Sequence, residues 1–193
     1  MEVLKLHLTG LLRFSGRETG AKFWPWVAVV LVFNMAVAAI VMVPLMLNTF
    51  RKMNQFVHEH PDQGTIVTGP GSYSVQVHGY HPELMPDLSG FMLAIQVSAA
   101  VSVLMLAAAV TRRLHDTDKS GLFGLLPLPF LTTGLTLFPA FFAQSMSGAE
   151  PDTGGFMLLF ANNMLYLGLL GLLAFLLARK SSSGDNRFGP PVD

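Results

Sequence analysis

The stretch "TRRLHDTDKSG" at 111–121 places six charged or titratable side chains in eleven residues, with long uncharged apolar runs on both sides. Arginine forks such as those of Arg112 and Arg113 pair with carboxylates or with phosphates. His115 beside Asp116 has the composition of an acid-base pair, but adjacent residues on a helix or turn point apart. No serine motif or metal-ligand spacing accompanies them, so no catalytic residue is assigned. Two further arginines stand in short polar stretches, Arg17 in "FSGRETGAKFW" (14–24) and Arg187, next to Asn186, in "GDNRFGPP" (184–191). Two chemistries are open to this set. Asp116 and Asp118 could receive the arginines and tie both ends of the chain to the central stretch as a packing clamp, with Gly121, Gly184, Gly189 and the Pro190-Pro191 pair as turn-makers. Alternatively, arginines left free could bind anionic lipid headgroups or a phosphorylated ligand.

A second cluster is rich in histidine. His58, His60, His78 and His81 lie close in sequence to Glu59, Asp62, Glu83 and Asp87. Imidazoles at this density could ligate zinc or copper if the chain brought the two pairs together. Neither pair has a diagnostic spacing, so a solvated polar loop without metal is the expectation, and no cofactor is expected elsewhere. The chain has no cysteine, which removes disulfides, thiolate metal sites and cysteine nucleophiles.

The elements that must position these residues follow from composition. The 193 residues are 51% hydrophobic and 12% charged, against about 25% charged in a soluble average. Basic and acidic residues balance at twelve each, so nothing points to a nucleic-acid partner. Windows 24–50, 88–111 and 120–149 carry no Asp, Glu, Lys, Arg or His, and 151–178 carries only Asp152 near its start. Each is long enough for the roughly 20 helical residues that span a bilayer core of about 30 Å. Four transmembrane helices are expected, at about 24–48, 89–110, 122–143 and 156–178: an all-α polytopic membrane protein of one membrane domain.

Ten of the twelve basic residues lie in the N-terminal segment, in the 111–121 turn and in the C-terminal tail. Only Arg51 and Lys52 lie in the loop 49–88, and none lies between the third and fourth spans. The positive-inside rule therefore puts both termini and the 111–121 turn in the cytoplasm and the 49–88 loop outside. The first span, preceded by 23 residues and longer than a signal-peptide core, reads as a retained anchor. An N-terminal helix would group Leu4, Leu8, Leu11 and Leu12 on one face, suited to lying in the membrane interface. In the external loop, "TIVTGPGSYSVQVH" reads as a β-hairpin turning at Pro70-Gly71.

Within the spans Asn34, Gln96, Ser98, Ser102, Thr132, Thr133, Asn162 and Asn163 are polar but uncharged, as expected of groups that hydrogen-bond between helices. An ionisable relay of the kind found in pumps is missing from these runs. Pro127, Pro129 and Pro139 should kink or interrupt the third helix.

Taken together, the three polar stretches 14–24, 112–121 and 184–191 resemble, in order and in spacing around hydrophobic spans, the signature segments of the bacterial inner-membrane family catalogued as domain of unknown function 805. The resemblance covers nearly the whole chain apart from the external loop. It departs from the family pattern in "ETGAK" (18–22), at Asp118, where the family favours glycine, and near Leu122 and Phe123, where it favours tryptophan. It implies a small integral inner-membrane protein with no established activity. The expected role is structural or lipid-associated rather than enzymatic, with membrane lipids and a second copy or another membrane protein as partners. Transport or conduction of a small solute is the alternative. The residues carrying the resemblance and the headgroup reading are Arg17, Arg112, Arg113, His115, Asp116, Asn186 and Arg187.

Overall fold

The computed structural model describes residues 2–147, 150 and 152–191. A short helix α1 (Glu2–Thr9) precedes a long α2 (Gly20–Glu59). Strands β1 (Gly64–Gly69) and β2 (Ser72–Val77) follow, then α3 (Ser89–Asp116), a 3₁₀ turn (Gly121–Leu125), α4 (Leu128–Met146) and α5 (Thr153–Ala178). Four helical stretches, Gly20–Glu59, Ser89–Asp116, Gly121–Met146 and Thr153–Ala178, are long and apolar enough to cross a membrane. Their outward faces carry large exposed side chains such as Leu31, Val32, Leu104, Leu165 and Phe175. Such faces belong in hydrocarbon, where a helix also satisfies its own backbone.

Two helices run further than their apolar content requires. The span expected to end near 48 continues as α2 to Glu59: Pro44 lies inside the helix without ending it, and after 48 no glycine or proline follows until Pro61 stops it. Likewise "TRRLHD" is not a free turn but the final turns of α3. There Leu114 O accepts from Thr117 N and Lys119 N, and Asp118 closes the end with a φ of 56°. The third span divides at its prolines: Pro127 caps α4, Pro129 occupies its first turn and Pro139 alone lies inside.

The chain forms two units, residues 1–34 with 96–193, and residues 35–95. In the first, Phe23, Trp26, Val30, Ala109, Leu114, Leu173, Leu176 and Leu177 form the core joining α2, α3 and α5. Polar side chains add directional bonds between the helices. Trp26 Nε1 donates to Met105 O (3.0 Å), Asn34 Nδ2 to Ser102 Oγ (2.7 Å), Gln96 Nε2 to Leu135 O (2.8 Å) and Asn162 Nδ2 to Phe130 O (2.9 Å). Thr132 and Thr133 instead bond back to carbonyls of their own helix. Gly121 lies so close to α3 that a Cβ there would fall 2.5 Å from Thr111 Cγ2. On α1, Leu4 and Leu8 face outward and His7 is fully buried, while in the turn that follows Leu12 is exposed and Leu11 packs at the edge of the core.

In the second unit the hairpin has the expected turn. Gly69 pairs with Ser72, and Gly71 takes the positive φ (76°) that a type II turn needs at that position. The hairpin packs on the end of α2 through Tyr73, which meets Phe50 edge-on and accepts from Asn54 Nδ2 at 2.7 Å. At the start of α3, Asp87 accepts from Ser89 N (2.9 Å), a bond that holds its carboxyl below the ordinary aspartate range.

Candidate functional site

Where α3 ends, four backbone carbonyls have no partner within the helix. The polar motifs meet at this end. Ser182 N donates to Asp116 O (2.9 Å), Asn186 Nδ2 to His115 O (3.0 Å) and Glu18 N to Arg112 O (3.2 Å), so the tail and the N-terminal segment both dock on the last turn of α3.

Asp116 is fully buried between two guanidinium groups. Arg17 presents Nε and Nη2 to Asp116 Oδ1, each at 3.1 Å. Its remaining N–H groups donate to the carbonyls of Ser182 (2.7 Å), Gly184 (2.9 Å) and Gly189 (3.2 Å), so all five are used. Arg113 donates from Nη1 to Asp116 Oδ2 (2.5 Å) and to Ser181 Oγ (3.1 Å). The Ser181 hydroxyl also donates to Asp116 Oδ2. Through Nε to Leu177 O (2.9 Å) and Nη2 to Arg179 O, Arg113 also caps the open carbonyls at the end of α5, where the helix dipole favours a cation.

Arg112 turns to a second node. Its Nε and Nη2 both lie 2.8 Å from Glu18 Oε2, and Nη1 donates to the carbonyls of Gly10 (3.0 Å) and Arg13 (2.5 Å). Glu18 Oε1 meets His7 Nε2 at 2.7 Å, and the His7 ring stacks on Trp26 with centroids 4.8 Å apart. Both carboxylates are thus buried and paired, and every buried side-chain nitrogen and oxygen among the described residues has a partner.

His115 and Asp116 do not act as a pair. His115 Nδ1 donates to Gly16 O (3.1 Å), since a carbonyl can only accept, and its ring stacks on Phe188 at 3.7 Å. Asn186 clips the tail by donating to Ser182 Oγ (2.9 Å) and accepting from Phe188 N (2.9 Å). Gly189, at a φ of 121°, supplies the turn that brings its carbonyl to Arg17. Arg187 stands apart: it meets Asp118 at 3.3 Å on the surface. The arginine set is therefore divided among Asp116, Glu18 and Asp118, whereas the sequence pointed to Asp116 and Asp118 alone.

Four contributors escaped sequence reasoning. Glu18 lay in the segment that departs from the family pattern, yet an acid directly after Arg17 in a basic segment was a usable signal. His7 had none, because an isolated histidine on an amphipathic helix reads as surface. Ser181 and Ser182 had none either, and only their closeness to Asp116 at the end of α3 gives them a role.

Two cavities flank this region. One of about 580 Å³ is lined on its polar side by Arg13, Ser15, Arg17, Glu18, Lys22 and Arg112. The other, about 430 Å³, lies among α2, α3, α4 and α5 and is mostly apolar, with Asn34, Ser102, Thr111 and Tyr166 as its polar lining.

The histidines of the second unit are engaged differently from a metal site. His58 Nδ1 meets Asn54 O (2.8 Å), His81 meets Glu83 (3.0 Å) and His78 O (3.0 Å), and Phe56 packs against the rings of His60 and His81. Among the described residues no group of three or more His, Cys, Asp or Glu is arranged to hold a metal ion.

Four helices long and apolar enough to cross a membrane, with buried ion pairs fastening the segment before α2 to the end of α3, define a multi-pass helical membrane protein. The family model described as "Protein of unknown function (DUF805)" matches residues 11–190, and the chain belongs to that family. No curated protein and no solved structure matches the chain.

Proposed function

We propose that this is a structural, lipid-associated protein of the bacterial inner membrane, with both termini and the segment 111–121 in the cytoplasm, and that its polar motifs form an internal clamp rather than a catalytic or transport centre. One observation carries the reading. The N–H groups of Arg17, Arg112 and Arg113 are spent on Asp116, Glu18 and backbone carbonyls of the chain itself. An arginine that recognises a substrate must present its fork to solvent, and these do not. The basic bias supports the orientation, with ten of twelve Lys and Arg in the three segments placed inside. Asn163, exposed near the middle of α5, favours contact with a second copy or another membrane helix, since a lone amide facing hydrocarbon gains most from a partner.

The alternative, a small-solute transporter, draws on the cavity of about 430 Å³. Its lining favours an apolar occupant, because Asn34 and Ser102 already bond to each other.

Hydrogen exchange tests the clamp. The Ser182 and Gly189 amides, bonded to Asp116 O and Asn186 O, should exchange at least about tenfold more slowly than in a free peptide. Exchange of both at free-peptide rates in the folded protein would sink the reading.

A further inference from the structure

The clamp leaves the cavity of about 430 Å³ among α2, α3, α4 and α5 without a role. Its walls are aliphatic, built from Val27, Val30, Leu106, Val110, Leu131 and Leu173, and among the described residues no Asp, Glu, Lys, Arg or His lines it. On α3 the lining runs from Ala99 to Thr111, about 18 Å at roughly 1.5 Å per residue, from the middle of the apolar span to its end beside the 3₁₀ turn. An occupant at that depth must be neutral, because hydrocarbon surroundings penalise an unpaired charge. Size narrows the choice: the cavity has nearly three times the roughly 150 Å³ that holds one benzene, room for one chain and too little for a two-chain phospholipid.

Polar groups in the lining add a requirement. The Thr111 hydroxyl donates to Ala107 O (2.8 Å) and the Ser102 hydroxyl to Ser98 O (2.7 Å), so both donors are spent within α3. Asn34 Nδ2 donates to Val30 O (2.8 Å) and to Ser102 Oγ (2.7 Å). Because a carbonyl can only accept, the bond to Val30 O fixes the amide and leaves Asn34 Oδ1 open as an acceptor. Tyr166, half-buried near the middle of α5, differs from the others: its hydroxyl has no hydrogen-bond partner among the described residues. Tyrosine ordinarily stands at a membrane interface, where its hydroxyl stays wet. Deep in a span, an unbonded hydroxyl is costly, and a ligand oxygen removes that cost. A ligand hydroxyl can use both open groups, accepting from Tyr166 and donating to Asn34.

We propose that this cavity binds a neutral single-chain lipid alcohol, its chain along the aliphatic walls and its hydroxyl bonded to Tyr166. The inference rests on the lipid-associated reading above and gives it a ligand class and a place.

The full-length protein is reconstituted in phosphatidylcholine nanodiscs with hexadecanol carrying a diazirine in its chain, irradiated, and its labelled residues are read by mass spectrometry. Label should fall on cavity residues such as Val103, Leu106 and Leu131. Excess hexadecanol should reduce that label at least about threefold, the worth of one hydrogen bond, while hexadecane at the same concentration in the bilayer leaves it unchanged. Tyr166→Phe keeps the ring and removes only the unbonded hydroxyl, so the variant should fold and lose at least about threefold of the cavity label. An unfolding midpoint measured without probe checks that fold, and the wild-type competition stands even if the variant is damaged. Label confined to outward residues such as Leu104 and Phe175, equal competition by alcohol and alkane, or an undiminished cavity label in a folded Tyr166→Phe overturns the proposal. Native mass spectrometry of the detergent-extracted protein reads retained phospholipid separately. Phospholipid retained without the cavity label overturns the alcohol site but leaves lipid association standing, and the absence of both overturns both.

Discussion

Replacing Asp116 by asparagine changes no volume, removes one negative charge and leaves an N–H₂ group where a carboxylate oxygen stood. Whichever way the amide turns, its donors face guanidinium donors, because Oδ1 accepts from Arg17 and Oδ2 from Arg113 and Ser181. The residue is wholly buried, and the Arg17 and Arg113 side chains are 1% and 4% exposed, so water cannot take over these bonds. Removing one partner of a buried ion pair costs about 3–5 kcal/mol. Both arginines lose the same carboxylate, so their losses are coupled and the total stays near the upper end of that range instead of doubling. At about 1.4 kcal/mol per decade, the folding equilibrium should shift by roughly three to four decades. Arg187→Ala provides the contrast: its pair with Asp118 is 60% and 54% exposed, and such pairs contribute about 0–1 kcal/mol. Reversible unfolding in mixed micelles, followed by the fluorescence of buried Trp26, measures both. An Asp116→Asn variant within about 1 kcal/mol of wild type, or no less stable than Arg187→Ala, would refute the argument that these charges hold the end of the bundle together.

Two further outcomes are expected. Gly121→Ala would drive a methyl to 2.5 Å from Thr111 Cγ2 and should cost about 1–3 kcal/mol in the same unfolding assay; Gly168→Ala, with no atom within 4 Å, should cost nothing, and equal effects would remove the close-approach explanation. The chain has no cysteine, so single substitutions map its topology cleanly: Tyr80→Cys should react with an impermeant maleimide on intact spheroplasts and Asp185→Cys only after permeabilisation, and the reverse pattern would invert the orientation.

The architecture was legible because hydrocarbon imposes a simple rule on sequence. A run such as 88–111 without one ionisable group has few alternatives to a spanning helix, and Pro70-Gly71 between two short alternating runs has few alternatives to a hairpin turn. Element ends were less legible. Nothing in composition separates the polar end of a helix from a loop, so α2 beyond 48 and α3 beyond 110 were hidden until breakers were weighed: Pro61 for one, the left-handed Asp118 for the other.

The site was legible in its membership and not in its pairing. Sequence brings Arg17, Arg112, Arg113 and Asp116 forward as a charged set, but partners in such a set are fixed by helix phase. Arg112 and Arg113 are consecutive and therefore point about 100° apart around α3. One reaches back to Glu18 and the N-terminal segment, the other across to α5 and the tail. That divergence is what lets two adjacent arginines fasten two different ends of the chain, and it explains why losing either should free one end and spare the other. Arg113→Met should thus expose the Ser182 amide while leaving Glu18 N bonded to Arg112 O; loss of protection at both amides together would mean the two nodes form one cooperative unit.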